Sequence, residues 1–191
     1  MLKQYLQLIC VLSILLWAIV QKSASGMPTS VGLEPIVGYE RAQMLVPTPH
    51  TVDRLVYGAR ASYGFTFLSA EAEYLHTYSS ESFISQNIST KDTGDKLKLG
   101  LRSGIDLLSV INFYLRAGAQ ATKNTHEETV SGVSTTTLQP ITYYPYAGTG
   151  LRLRLGRNLK VTGDLTTVFR SFPDMNQNEY QLTAGFVVQF P

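Results

Sequence analysis

Residues Tyr180 to Phe190 alternate with a single exception. Tyr180, Leu182, Ala184, Phe186, Val188 and Phe190 share one parity, Gln181, Thr183, Gly185 and Gln189 the other, and only Val187 breaks the pattern. A two-residue period over about ten residues describes a strand with one oily and one polar face. It is also about the length of a tilted strand that crosses a bilayer.

Seven earlier segments carry the same period between turn signals: Val31 to Gln43, Arg54 to Tyr63, Leu68 to Tyr78, Lys96 to Ile105, Ile111 to Thr122, Ile141 to Leu155, and Leu159 to Arg170. One such segment is a weak signal; eight in succession with almost no frame slips are a strong one. The connectors alternate in length. Gly64 to Phe67, Asp106 to Val110 and Gly156 to Asn158 read as tight turns, whereas Met44 to Asp53, Ser79 to Asp95, Lys123 to Pro140 and Ser171 to Gln177 read as long polar loops. The fold class expected is therefore all-β: an eight-stranded antiparallel transmembrane β-barrel with short periplasmic turns and longer extracellular loops.

The first residues read as a targeting segment. Lys3 supplies a positive start, Leu6 to Val20 an almost unbroken apolar run, and Ser23-Ala24-Ser25 a small-residue cleavage region before Gly26. Residues 1–25 are expected to be a signal peptide and 26–191 a single barrel domain. The only Cys and the only Trp lie in that segment, so the remainder has no disulfide or thiol chemistry. Removing Lys3 and Lys22 from 16 basic residues leaves 14, against 14 acidic residues. A nucleic-acid partner gets no support from that balance.

The aromatics fall at strand ends: Tyr63, Phe113 and Phe190 near the turns, and Tyr39, Tyr57, Tyr74, Tyr78, Tyr143, Phe169 and Tyr180 near the loops. Two such bands are expected of interfacial girdles. Pro35 lies near the start of the first strand, where it costs little. Pro145 implies a bulge or an end of pairing near the external rim.

A soluble barrel with its oily face inward shows the same alternation. The Arg- and Gly-rich polar face, the alternating loop lengths and the aromatic terminal strand argue for the membrane form. The interior then contains Arg54, Arg60, Lys96, Lys98, Arg102, Arg116, Arg152, Arg154, Lys160 and Arg170, opposed by Glu34, Glu40, Glu71, Glu73 and Asp164. Eight strands leave a lumen just wide enough for its own side chains, and charges held there must pair. Glu71 and Glu73, beside Lys98 and Arg102, mark the expected centre of a network that includes Arg60, Arg116, Arg152 and Asp164. Glycines at 58, 100, 104, 118, 148, 150 and 185 are read as room for the arginines. Such an interior is a plug. The bases Arg54, Lys96 and Arg170 are read as a solvated rim, with anionic lipopolysaccharide as the other reading.

With these features the chain resembles the OmpA-like and OmpX-like small outer-membrane barrels, along residues 26–191 and without a specific motif. The resemblance implies an outer-membrane location and contact with membrane lipid and lipopolysaccharide. It also implies folding by the barrel-assembly machinery, with the strand of Tyr180, Phe186 and Phe190 as recognition signal. Pro191 departs from the family's habit of ending on the aromatic. The peptidoglycan-binding domain of longer members is absent, so wall anchoring is not implied. A monomer is expected, with an extracellular ligand or surface met through the loops.

Some barrels of this size modify lipid A, and a small narrow pore is a further alternative. An embedded esterase needs Ser, His and an acid. His50 and His126 sit in segments read as loops. His76, followed by Ser79, Ser80 and Glu81, is the one place resembling a site, but position 78 is Tyr. No metal-ligand cluster or cofactor motif appears, although Asp92 and Asp95 leave calcium open. The reading is a non-enzymatic barrel with no cofactor.

Overall fold

In a computed structural model the described residues of the chain form nine antiparallel strands. The residues described are 30–44, 50–65, 67–83, 88–130, 133–156, 158–171 and 177–190; the expected signal peptide, residues 1–25, lies outside them, as does Pro191. The strands are β1 (Ser30–Met44), β2 (His50–Gly64), β3 (Leu68–Phe83), β4 (Ile88–Leu108), β5 (Ile111–Val130), β6 (Val133–Leu138), β7 (Thr142–Arg154), β8 (Leu159–Val168) and β9 (Glu179–Phe190).

Eight of them close a ring. Pairing runs β4-β3-β2-β1-β9-β8-β7-β5 and returns through β4–β5, while β6 pairs with β5 alone. The terminal strand closes the ring against β1, with Tyr39 opposite Leu182. That ladder lapses at Glu34 and Pro35, between the pairs Leu33–Val188 and Ile36–Gly185. Proline has no N–H to donate, so Pro35 costs pairing in the closing seam itself rather than at a strand end.

Pro145 sits inside β7, and the β5–β7 register passes through it unbroken from Thr142 to Leu153. On its other side, β7–β8 pairing starts one residue later, at Tyr146–Val168, after the Phe169 amide donates to the Pro145 carbonyl at 2.9 Å. The missing donor therefore falls at the end of a ladder, and no bulge is needed.

Two expected loops are largely strand. Ser79 to Asp95 is β3 continuing to Phe83 and β4 starting at Ile88, and Lys123 to Pro140 is β5 continuing to Val130 with β6 folded back on it. β4 and β5 reach 21 and 20 residues, about twice the roughly 9–11 that cross a bilayer. Their ends project beyond the barrel as a sheet that continues the barrel ladders. Outside lipid both faces of a strand are wet, so the oily–polar alternation that marks a membrane strand is absent there.

The parity of the ring is uniform. Leu33, Val37, Leu55, Leu97, Leu99, Leu101, Leu115, Leu151, Leu165, Leu182 and Phe186 face outward and exposed, as do Tyr39, Tyr57, Tyr63, Tyr74, Tyr78 and Tyr143. An exposed apolar band of this extent has no place in water and suits lipid. The core is the lumen. Its centre is ionic, and Ile36, Val52, Val56, Leu75, Val168 and Val187 fill it above and below. The turns are short: Gly64 takes φ 144°, open to glycine, and the Phe65 amide donates to the Leu68 carbonyl at 2.8 Å.

Candidate functional site

The strongest chemical feature is the ionic interior, and the sheet register builds it. Glu34, Arg60, Glu73 and Lys98 stand opposite one another on β1, β2, β3 and β4, a row of alternating sign. Arg60 reaches furthest. Its Nε donates to Glu73 at 2.6 Å and its Nη1 to Glu34 and Asp164, both at 3.0 Å, so one guanidinium joins carboxylates from three strands. Lys98 lies 2.7 Å from Glu73, Arg102 3.1 Å from Glu71, and Arg116 2.8 and 2.7 Å from Glu71 and Glu73. The Thr162 hydroxyl donates to Glu34. Four cations thus meet four carboxylates, and every member is almost wholly buried. Of the eight lumen residues singled out in the sequence, seven share this layer. Arg152 does not: it lies toward the turns, its guanidinium 5.4 Å from the Tyr114 ring centre.

Two tyrosines that the sequence reading did not single out complete the layer. The Tyr114 hydroxyl donates to Asp164 at 2.5 Å and that of Tyr146 to Glu71 at 2.9 Å. Tyr114, Gly150 and Asp164 form one row across β5, β7 and β8, and Tyr146, Gly118, Gly100 and Glu71 another across β7, β5, β4 and β3. A Cβ on Gly150 would stand 2.5 Å from the Tyr114 ring, and one on Gly100 2.3 Å from the Tyr146 hydroxyl. These two glycines therefore make room for rings, not for arginine stems. Gly58 and Gly118 instead admit close backbone approach. Arg102 lies 4.5 Å over Tyr114, and Lys98 and Arg116 5.6 and 5.3 Å over Tyr146, so the rings face cations as well.

A second layer sits toward the projecting sheet. Lys96 is bonded to Glu40 and lies 2.8 Å from Glu179, Arg54 is 3.8 Å from Glu40, and Arg170 is paired with Glu179. Gln181 accepts from Lys98 and donates to Glu40 at 2.7 Å, tying the layers together. Lys96 and Arg54 are therefore neither a solvated rim nor a lipopolysaccharide contact; they are buried. Glu179 was missed because it stands one residue before the alternating run, yet it continues the inward parity of Gln181. Arg154, expected inside, is exposed.

The outward parity carries less chemistry. His76 Nδ1 is 3.0 Å from Asp95, which also accepts from the Tyr74 hydroxyl at 2.6 Å. The Asp–His pair has Tyr78, not serine, two residues along its face, and the hydroxyl bonded to it is the Tyr74 phenol, on the aspartate rather than on the imidazole. His126 is not a loop residue; it lies on β5 with its Nδ1 2.7 Å from Asp92. Asp92 and Asp95 have opposite parities on β4 and different histidine partners, which removes them as a calcium pair, and no metal-binding group of three acids, His or Cys occurs among the described residues. An apolar groove of about 430 Å³ runs over Ala119 and Ala121 between Leu97, Leu99 and Tyr143. Near the outer end of the seam the exposed Arg41 bonds Asp53 at 2.9 Å and holds its carboxyl below the usual range. Tyr180, Phe186 and Phe190 all face outward on β9.

No protein-family model matches the sequence, and no curated protein matches it. Solved structures do match the fold. Ail, the attachment invasion locus protein of Yersinia pestis in complex with the heparin analogue sucrose octasulfate, superimposes with a TM-score of 0.59 at 13% identity, covering 86% of this chain and 100% of that one. Neisserial surface protein A gives 0.56 at 14%, over 85% and 99%. The N-terminal β-barrel domain of Pseudomonas aeruginosa OprF gives 0.53 at 13%, over 84% and 97%. At such identities the likeness is one of fold.

Proposed function

We propose that this chain, an eight-stranded barrel with the fold of the small outer-membrane proteins, is a sealed, non-enzymatic membrane anchor that presents a surface-exposed sheet to a partner. The plug supports the sealed half. With four cations on four carboxylates in the central layer, no lumen charge there is free to pass an ion along. The projecting ends of β3, β4 and β5, with the fully exposed β6, support the other half. That sheet continues the barrel ladders and so is held by the barrel itself.

The same reading takes residues 1–25 as the export signal and the strand of Tyr180, Phe186 and Phe190 as the segment met by the barrel-assembly machinery. Membrane lipid and lipopolysaccharide cover the outward band, and the chain works as a monomer. Ail binds a heparin analogue in its crystal; sulfated polysaccharide is accordingly the first probe for the sheet. The test is adhesion of cells displaying the wild-type chain, or a variant with residues 125–138 replaced by a short turn, to a heparin-coated surface. Adhesion lost in the variant supports the reading. Steady single-channel conductance in planar bilayers overturns the seal, and a changed lipid A acyl count on expression overturns the non-enzymatic role.

A further inference from the structure

Charge is matched unevenly along the lumen. The central layer is balanced, and toward the projecting sheet Arg54, Lys96 and Arg170 share Glu40 and Glu179. At the turn end, which faces the periplasm in this topology, Arg152 on β7 and Lys160 on β8 point inward with no carboxylate within 4.0 Å among the described residues. Lys160 is only 6% exposed, and Arg152 Nε is buried without a hydrogen-bond partner. Asp106, the acid at this rim, accepts from the Asn112 amide at 3.0 Å.

Arg152 and Lys160 together line two small cavities. One, of about 10 Å³, adjoins Asn112 and Asp106; the other, of about 20 Å³, adjoins Ser62, Ser69 and Gln189. Each admits about one oxygen-sized atom. Buried Lys160 and half-buried Arg152 repel each other and have given up part of their water, a cost that carboxylates offset elsewhere in this barrel. A guanidinium and an ammonium line both oxygen-sized niches, two serine hydroxyls line one of them and the Asp106 carboxylate the other. Two cations against one acid favour an oxyanion, and arginine matches phosphate geometry in particular.

We propose that the turn-end mouth of the lumen binds a phosphate group, neutralised by Arg152 and Lys160, with its oxygens in the two niches. The group is either inorganic phosphate or the head group of an inner-leaflet phospholipid. The site is independent of the surface role, since it lies at the opposite end of the barrel.

The chain refolded in a phosphate-free amine-oxide detergent is titrated with inorganic phosphate at constant ionic strength. The readouts are the Arg152 Nε–Hε and Lys160 amide NMR signals. A saturable shift is expected, weakened at least tenfold in both Arg152→Gln and Lys160→Gln, whose remaining spectra report a folded barrel. The same shift in phosphatidylglycerol nanodiscs without added phosphate assigns the head group; a shift there only on adding phosphate assigns the free anion. An equal response to chloride, a response that survives in both variants, or no response in detergent or nanodiscs overturns the proposal.

Discussion

The Tyr146 hydroxyl reaches Glu71 at 2.9 Å across two intervening strands, passing over Gly118 and Gly100 in one sheet row. The ring and the missing side chains are one device, because a Cβ at Gly100 would meet both that hydroxyl and the Ala117 carbonyl at under 2.5 Å. Gly100→Val should therefore displace the ring and cost about 1–3 kcal/mol, typical of overpacking. Urea unfolding in lipid vesicles measures it. Gly163→Ala is the control: an added Cβ there meets nothing within 4 Å, and the midpoint should stay put.

Arg60 is the hub of the plug, bonded to Glu34, Glu73 and Asp164. Arg60→Gln leaves three buried carboxylates short of a cation and should cost about 3–5 kcal/mol. Adding Glu73→Gln should cost less than the two single losses combined, since the pair shares one contact. Strict additivity in a double-mutant cycle would show that the network does not couple them.

Arg41 and Asp53 give a pH dependence outside the membrane band. Hydrogen bonding to Arg41 depresses the Asp53 carboxyl pKa. A depressed carboxyl contributes stability above its unfolded pKa, and that contribution is lost as pH falls through the folded value. An NMR titration should find Asp53 below a free aspartate, and Arg41→Gln should return it to the ordinary range. Both side chains are well exposed, so the midpoint of unfolding should hardly move.

Strand β6 pairs with β5 alone and all its residues are exposed. Deleting 125–138 in favour of a short turn should leave the barrel folded, with its band still shifted on unheated electrophoresis. A lost shift would mean that the hairpin supports the ring.

Membrane parity was legible in the sequence because lipid demands apolar side chains at alternate positions, and the lumen charges followed from it. Glu71 and Glu73 beside Lys98 and Arg102 are neighbours by strand order. Arg60 with Asp164 is not: they are 104 residues apart, and only ring closure brings them together. The tyrosines left a fainter signal. Tyr114 stands on the polar parity of its strand, where a ring needs both a hydroxyl partner and a missing side chain nearby. The projecting strands were hidden because water on both faces erases the alternation. Even so, Thr129-Val130-Ser131-Gly132-Val133 reads as β-branched residues around a Ser-Gly turn, a hairpin signature that does not depend on lipid.

Pro35 leaves a break in the main-chain ladder of β1 and β9, and Glu34 stands beside it. The Glu34 carboxylate takes bonds from Thr162 on β8 and Arg60 on β2, the strands flanking that seam. Where the backbone stitches are dropped, side chains from either side are laced behind the gap. Arg60 meets Glu34 within the β1–β2 hairpin, whereas Thr162 reaches that carboxylate, and Asp164 reaches Arg60, only across the closed seam, so a half-zipped cylinder would hold this acid with one flank of its bonds unmade.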